Sequence, residues 1–185
     1  GLPGQETASV LKSAEALAAL EPEHLSAYAL KLEPGTPMAQ ENPALPDDDR
    51  VADMYFALCR CFEKHGYEHY EISNFARGGK RSRHNTKYWT MAEYLGLGPA
   101  AHSFMGYKRF SNVRDLSAYI NGVQNHQNFI DECDEEPIAR RVGEYIMLHL
   151  RTSEGIQVSR FDQMFRLDFM SYLKNLDRYL ENGLA

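Results

Sequence analysis

Between His69 and Phe104 the chain reads HYEISNFARGGKRSRHNTKYWTMAEYLGLGPAAHSF, a window holding three histidines, three tyrosines, the only tryptophan and five basic side chains. Histidine ligates metals or moves protons near neutral pH. Guanidinium groups grip carboxylates. Aromatic faces stack on flat molecules, and glycine lets backbone come close to a ligand. Together these residue types point to a planar anionic ligand or a cofactor. Within the window, Arg77, Lys80, Arg81, Arg83 and Lys87 form a basic run in an acidic chain, and either contact an anion or make a solvated loop. Glu71, Ser73 and Asn74 close a candidate strand; they either face a ligand or tie down the following loop. His84, Asn85, Tyr88 and Trp89 follow the basic run, and Gly96, Gly98, Ala101 and His102 come next. A Gly-x-Gly pair alone is a weak signal. His65 and His69 are separated by Gly66, which breaks the helix, so they do not form a helical metal pair.

The rest of the chain must position these groups. Its 185 residues suit one domain, or one domain with part of another, and 43% hydrophobic residues can fill a core. A net charge of −6 argues against nucleic acid as a partner. No apolar run is long enough to span a bilayer and no secretory leader is visible, so the expected location is the cytoplasm. The three cysteines, Cys59, Cys61 and Cys133, fit neither a disulfide framework nor a metal site, and no metal is expected on this chain.

Apolar spacing predicts a helix over 6–20, a buried strand over 24–30 and, because four prolines fall between Lys31 and Pro46, a long loop there. Asp47 caps a helix with Val51, Met54, Tyr55, Leu58 and Phe62 in a stripe, ended by Gly66. A strand is expected over 67–75. Alternation of this kind implies βα units, a parallel sheet and ligands at the strand ends. A hairpin turning at Gly106 and helices over 115–123, 137–150 and 169–180 complete the reading. The acidic stretch 131–136 reads as a solvated linker and helix start, giving an α/β portion over 1–131 and a helical subdomain over 132–185. Both ends read as cut, so a longer protein is expected. An unfinished sheet would leave an edge strand open to homodimerisation.

Five segments, GLPGQ, HLSAYALKLEPGTP, GYEHYEISNFA, SRHNTKYW and YLGLGPAAHSF, occur in an order and spacing that resemble the downstream half of the radical-SAM proteins similar to oxygen-independent coproporphyrinogen III oxidase. The His-Asn-x-x-Tyr-Trp pattern resembles the heme-chaperone branch more narrowly. The resemblance implies the C-terminal part of a partial (β/α)6 barrel followed by a small winged-helix-like helical subdomain. It implies S-adenosylmethionine and a [4Fe–4S] cluster in the full-length parent, with the cluster on a three-cysteine motif that this sequence lacks, and neither is expected bound here. It implies heme or another porphyrin contacted by His84, Asn85, Tyr88, Trp89 and His102, with Arg77 and Arg83 on its propionates. Gly4, Gln5, Gly98 and Ala101 would lie near S-adenosylmethionine. For His84 the alternative is a histidine bonded in a turn; for His102, a satisfied buried histidine; for Tyr88 and Trp89, ordinary core. The implied activities are heme delivery to a recipient protein or anaerobic decarboxylation of coproporphyrinogen III, and a non-catalytic interaction module, docking through the region from Glu132, is a third reading.

Overall fold

The computed structural model describes residues 1–173, 181 and 182, and the chain folds as two compact units, Gly1–Arg83 and His84–Ala185. This division falls elsewhere than the boundary expected after residue 131.

The first unit holds helix α1 (Thr7–Ala19), strand β1 (His24–Ser26), a short helix α2 (Pro37–Glu41), helix α3 (Asp48–Lys64) and strands β2 (Glu68–Glu71) and β3 (Asn74–Ala76). Asp47 caps α3 as expected, its Oδ1 accepting from the Arg50 N–H at 2.9 Å. Inside the proline-rich loop, Thr36 caps α2 and Pro37 sits at its start, where a missing N–H costs nothing. The core gathers Ala14 and Ala18 from α1, Cys61 and Phe62 from α3, and Leu25, Tyr67 and Phe75. Phe62 and Phe75 meet edge to face, centroids 4.9 Å apart.

The sheet order is β1-β3-β2, with antiparallel neighbours. The expected parallel sheet is therefore not formed. β1 and β2 run the same way, joined through α3, but β3 lies between them. The expected single strand over 67–75 folds back on itself because Glu71 turns inward. Its carboxylate accepts from the Ser73 N–H at 3.2 Å and from the Asn74 side-chain amide, which closes a tight turn. Such side-chain bonds compete with a continuing strand.

The second unit opens with helix α4 (Arg83–Trp89), whose first residue belongs to the preceding unit, followed by strands β4 (His102–Met105) and β5 (Lys108–Asn112), helix α5 (Leu116–Gln124), strand β6 (Ile130–Glu135), and helices α6 (Ile138–His149) and α7 (Val158–Phe165), with a 3-10 turn over Phe169–Tyr172. The expected hairpin is present. Gly106 and Tyr107 carry φ of +55° and +70°, the pairing that a two-residue turn matched to strand twist requires. The acidic stretch is not a linker: β6 pairs antiparallel with β5 in a sheet of order β4-β5-β6. Helices were not expected over α4 or α7. The outer part of the helix expected over 169–180 lies outside the described residues.

Val142, Tyr145, Phe161, Phe165 and Phe169 form the helical core of this unit. His149, on the expected buried face of α6, stacks on Tyr145 at 3.7 Å, and its Nδ1 donates to the Tyr145 carbonyl at 2.9 Å. Burial holds the imidazole below the usual histidine range, against the opposing pull of that carbonyl. The unfolded chain therefore binds a proton on His149 at a higher pH than the folded chain does. Stability is complete above the ordinary histidine value of about 6.5 and falls as the pH drops below it. Urea midpoints measured from pH 7.5 down to 5 should decline, with a shallower decline in His149→Phe.

Candidate functional site

Helix α4 carries the HNTKYW motif. It ends where Met91 takes a left-handed φ of +52° and the Ala92 N–H donates back to the Lys87 carbonyl at 2.9 Å. The helix places His84 and Tyr88 one turn apart on one face. Tyr88 Oη lies 2.8 Å from His84 Nε2, and the two rings meet edge to face at 5.0 Å. Both side chains are exposed; Asn85 and Trp89 are half-buried. Trp89 Nε1 is sealed from solvent with no hydrogen-bond partner among the described residues.

An aromatic file continues inward from Tyr88. Tyr94 stands against it at 4.8 Å, and Phe104 follows at 6.5 Å. The Arg109 guanidinium lies 4.9 Å over the Phe104 ring and bonds Glu136 at 3.1 Å and Glu144 at 2.5 Å. Burial works to lower the Arg109 pKa, yet the two carboxylates outweigh it and hold the group above its usual range. Burial pushes the Tyr94 phenol up. A cavity of about 70 Å³ adjoins Lys87, Tyr88, Tyr94, Phe104, Arg109 and Glu144. That is too small for a macrocycle, since drug-sized ligands need about 300 Å³ or more.

The other expected site residues fall into distinct settings. His102 is exposed on β4, paired with Ser111, and its ring makes no hydrogen bond among the described residues. Gly98 is held rather than open: its N–H donates to Tyr119 Oη at 3.1 Å and its carbonyl accepts from Asn112 Nδ2 at 2.8 Å. The Ala101 carbonyl accepts from the Asn112 N–H at 2.9 Å. Gly4 and Gln5 lie in the other unit, where Gln5 Oε1 accepts from the Leu2 N–H at 2.8 Å. Glu71 and Asn74 are buried, and Asn74 also accepts from Ser26 Oγ at 2.5 Å, so these two and Ser73 knit the β2–β3 turn to β1.

The basic run divides. Arg77 bonds Glu21 at 3.0 Å, Lys80 lies 3.4 Å from Glu23, and Arg81 makes a two-nitrogen bond to Glu68. The Arg81 bond lowers the Glu68 carboxyl pKa. Arg83 and Lys87, both on α4 and exposed, have no ion-pair partner among the described residues.

Cys59 and Cys61 sit on α3, and Cys133 on β6 of the other unit. No group of three or more His, Cys, Asp or Glu side chains is placed to hold a metal ion among the described residues. The cysteines therefore do not fit an iron–sulfur cluster. Tyr55, whose phenol burial pushes up to about 12, donates to the Ile72 carbonyl at 2.8 Å beside His69; burial likewise raises the Cys59 thiol, so neither is an activated nucleophile. No described helix is long and apolar enough to cross a membrane.

Sequence reasoning does not find the His84–Tyr88 bond, because the motif carries neither a cap nor an apolar stripe to mark a helix. The spacing of four between the two residues is the signal that could have found it.

No protein-family model matches the chain. The chain is 34% identical to the heme chaperone HemW of Bacillus subtilis over 100% of its own length and 50% of that protein. It is 40% identical to the mitochondrial radical S-adenosyl methionine domain-containing protein 1 of Danio rerio, over 84% of this chain and 38% of that one. It spans about half the length of the curated relatives it matches. Among solved structures, the coproporphyrinogen III oxidase (HemN) of Escherichia coli, a radical SAM enzyme, superposes with a TM-score of 0.77 at 21% identity, covering 100% of this chain and 47% of that one. Along its whole length the chain is similar in sequence to about half of the heme chaperone HemW, and its mixed α/β fold is similar to the matching part of coproporphyrinogen III oxidase.

Proposed function

We propose that this chain supplies the tetrapyrrole-contacting surface of a cytoplasmic heme chaperone. The observation that carries the reading is the exposed His84–Tyr88 pair on α4, within a motif that resembles the heme-chaperone branch. His84 is the contact to heme iron, and His102 is a second candidate on β4. Tyr88 and Trp89 supply aromatic surface, Asn85 orients the helix face, and Arg83 and Lys87 offer cations to propionates. Arg77, in the first unit, would meet an anion only by exchanging its bond to Glu21. The heme is cargo, handed on to a recipient protein.

In the parent, S-adenosylmethionine and the cluster belong to a radical-generating part whose ligands this chain does not provide; Gly4 and Gln5 on the first unit, and Gly98 and Ala101 on the second, are each candidates to contact that cofactor. A partial (β/α)6 barrel with a winged-helix-like tail is the architecture we assign to the whole. Anaerobic decarboxylation of coproporphyrinogen III is the competing reading, favoured by the likeness of fold to HemN. The free edge of β1 offers a route to homodimers.

The test is a hemin titration of the chain followed in the Soret band. A red-shifted, saturable band is expected, with affinity at least about tenfold weaker in His84→Ala. A spectrum that never departs from that of free hemin would overturn the proposal.

A further inference from the structure

The Tyr88 hydroxyl occupies the one nitrogen of His84 that a porphyrin iron can reach without crowding. Nε2 of a neutral imidazole has a single lone pair, and Tyr88 Oη lies 2.8 Å from it. A phenol is the stronger donor of the two groups, and an imidazole nitrogen the stronger acceptor. In the neutral tautomer with its proton on Nδ1, the bond runs from Tyr88 O–H to Nε2. Nδ1 stands next to the side-chain stem, so a macrocycle centred on it would collide with α4. Binding of iron at Nε2 must displace the hydroxyl.

We infer that Tyr88 is a reversible cap on His84, withholding its ligating nitrogen until heme arrives and competing for it afterwards. The inference rests on the reading of His84 as the iron contact. Tyr88 acts here through His84 and is a positioning residue. Tyr88 also lines the 70 Å³ cavity together with Lys87 and Glu144, one of whose buried carboxylate oxygens has no hydrogen-bond partner among the described residues. A cap of this kind suits cargo, because the hydroxyl speeds release by retaking Nε2 as iron leaves.

The variant Tyr88→Phe keeps the ring and removes only the hydroxyl. Two measurements on the full chain test the cap. Without heme, nitrogen-15 shifts of the His84 ring should show Nδ1 protonated and Nε2 an acceptor, and the Nε2 shift should move in Tyr88→Phe. An Nε2 signal indifferent to the variant overturns the cap. With hemin as the probe, Tyr88→Phe should bind about twofold to tenfold more tightly than the natural chain, the range that one hydrogen bond spans. Weaker or equal binding in Tyr88→Phe, with binding still lost in His84→Ala, overturns the cap and leaves the heme reading standing. Binding that ignores His84→Ala, together with the expected nitrogen-15 response, overturns the heme reading and leaves the apo hydrogen bond standing.

Discussion

Gly96→Ala is expected to destabilise the second unit by about 3 kcal/mol or more, at the upper end for forcing atoms into packed structure. A methyl group there would sit 2.2 Å from the His102 carbonyl oxygen, 2.9 Å from its carbon and 3.0 Å from Ala101 Cβ. None of these is the far end of a flexible side chain. The backbone cannot retreat cheaply, because its neighbours are pinned on both sides. Tyr94 and Phe104 exchange two backbone bonds of 2.9 Å, Gly96 donates to Ser103 Oγ at 3.0 Å, and Gly98 is held by Tyr119 and Asn112. Gly96 thus sets how closely the 94–98 segment lies along β4. Gly143→Ala is the matched control. It sits inside α6 with nothing within 4 Å of the added carbon, so it should stabilise by about 0.5–1 kcal/mol through helix propensity. Urea denaturation reads both, and equal midpoints for the two variants would refute the close-approach account.

The second large effect is expected at Phe161. Its ring is fully buried and meets Phe165 and Phe169 at 4.9 Å, Tyr145 at 5.5 Å and Tyr172 at 5.8 Å. It joins α7 and the following 3-10 turn to α6. Phe161→Ala removes the ring and leaves a cavity too well braced to collapse, a loss of about 3–5 kcal/mol. A typical domain has only about 5–15 kcal/mol in hand. The variant should therefore lose near-UV circular dichroism from the surrounding tyrosines at urea concentrations where the natural chain is intact. Phe161→Leu, which restores much of the volume, should recover most of the loss. A variant as stable as the parent would mean that the helices are held together elsewhere.

Helices with long apolar periods and a clear cap were legible. Asp47 and the α3 stripe, Asp115 before α5 and the buried face of α6 stand within a residue or two of their expected places. Neighbours in the sheet were not legible, because strand partnership depends on residues distant in sequence. The His24–Ala76 pairing is an instance. Glu71 shows why a strand reading failed: a carboxylate spaced like a ligand group instead bonds the residues that follow it and reverses the chain. The acidic 131–136 stretch failed differently. Its charges hide the pattern of a strand, since β6 is exposed along its whole length and has no apolar face to reveal it. In the candidate site, residue types were legible and pairings were not. Arg77, Lys80 and Arg81 are spoken for by Glu21, Glu23 and Glu68, acids well upstream that nothing local announces. The family resemblance came from long ordered motifs, which survive even where the architecture inferred from periodicity is wrong.

Asp131, Glu132, Asp134 and Glu135 line an outermost strand. Among the described residues, only Asp134 and Glu135 of these have ion-pair partners, Arg140 at 3.0 Å and Lys108 at 4.0 Å. Two molecules meeting there would press negative rows together, so that border is self-repelling. β1, with His24, Leu25 and Ser26, carries no such fence. Pairing between copies through β6 is therefore disfavoured by charge, while β1 has no such charge row.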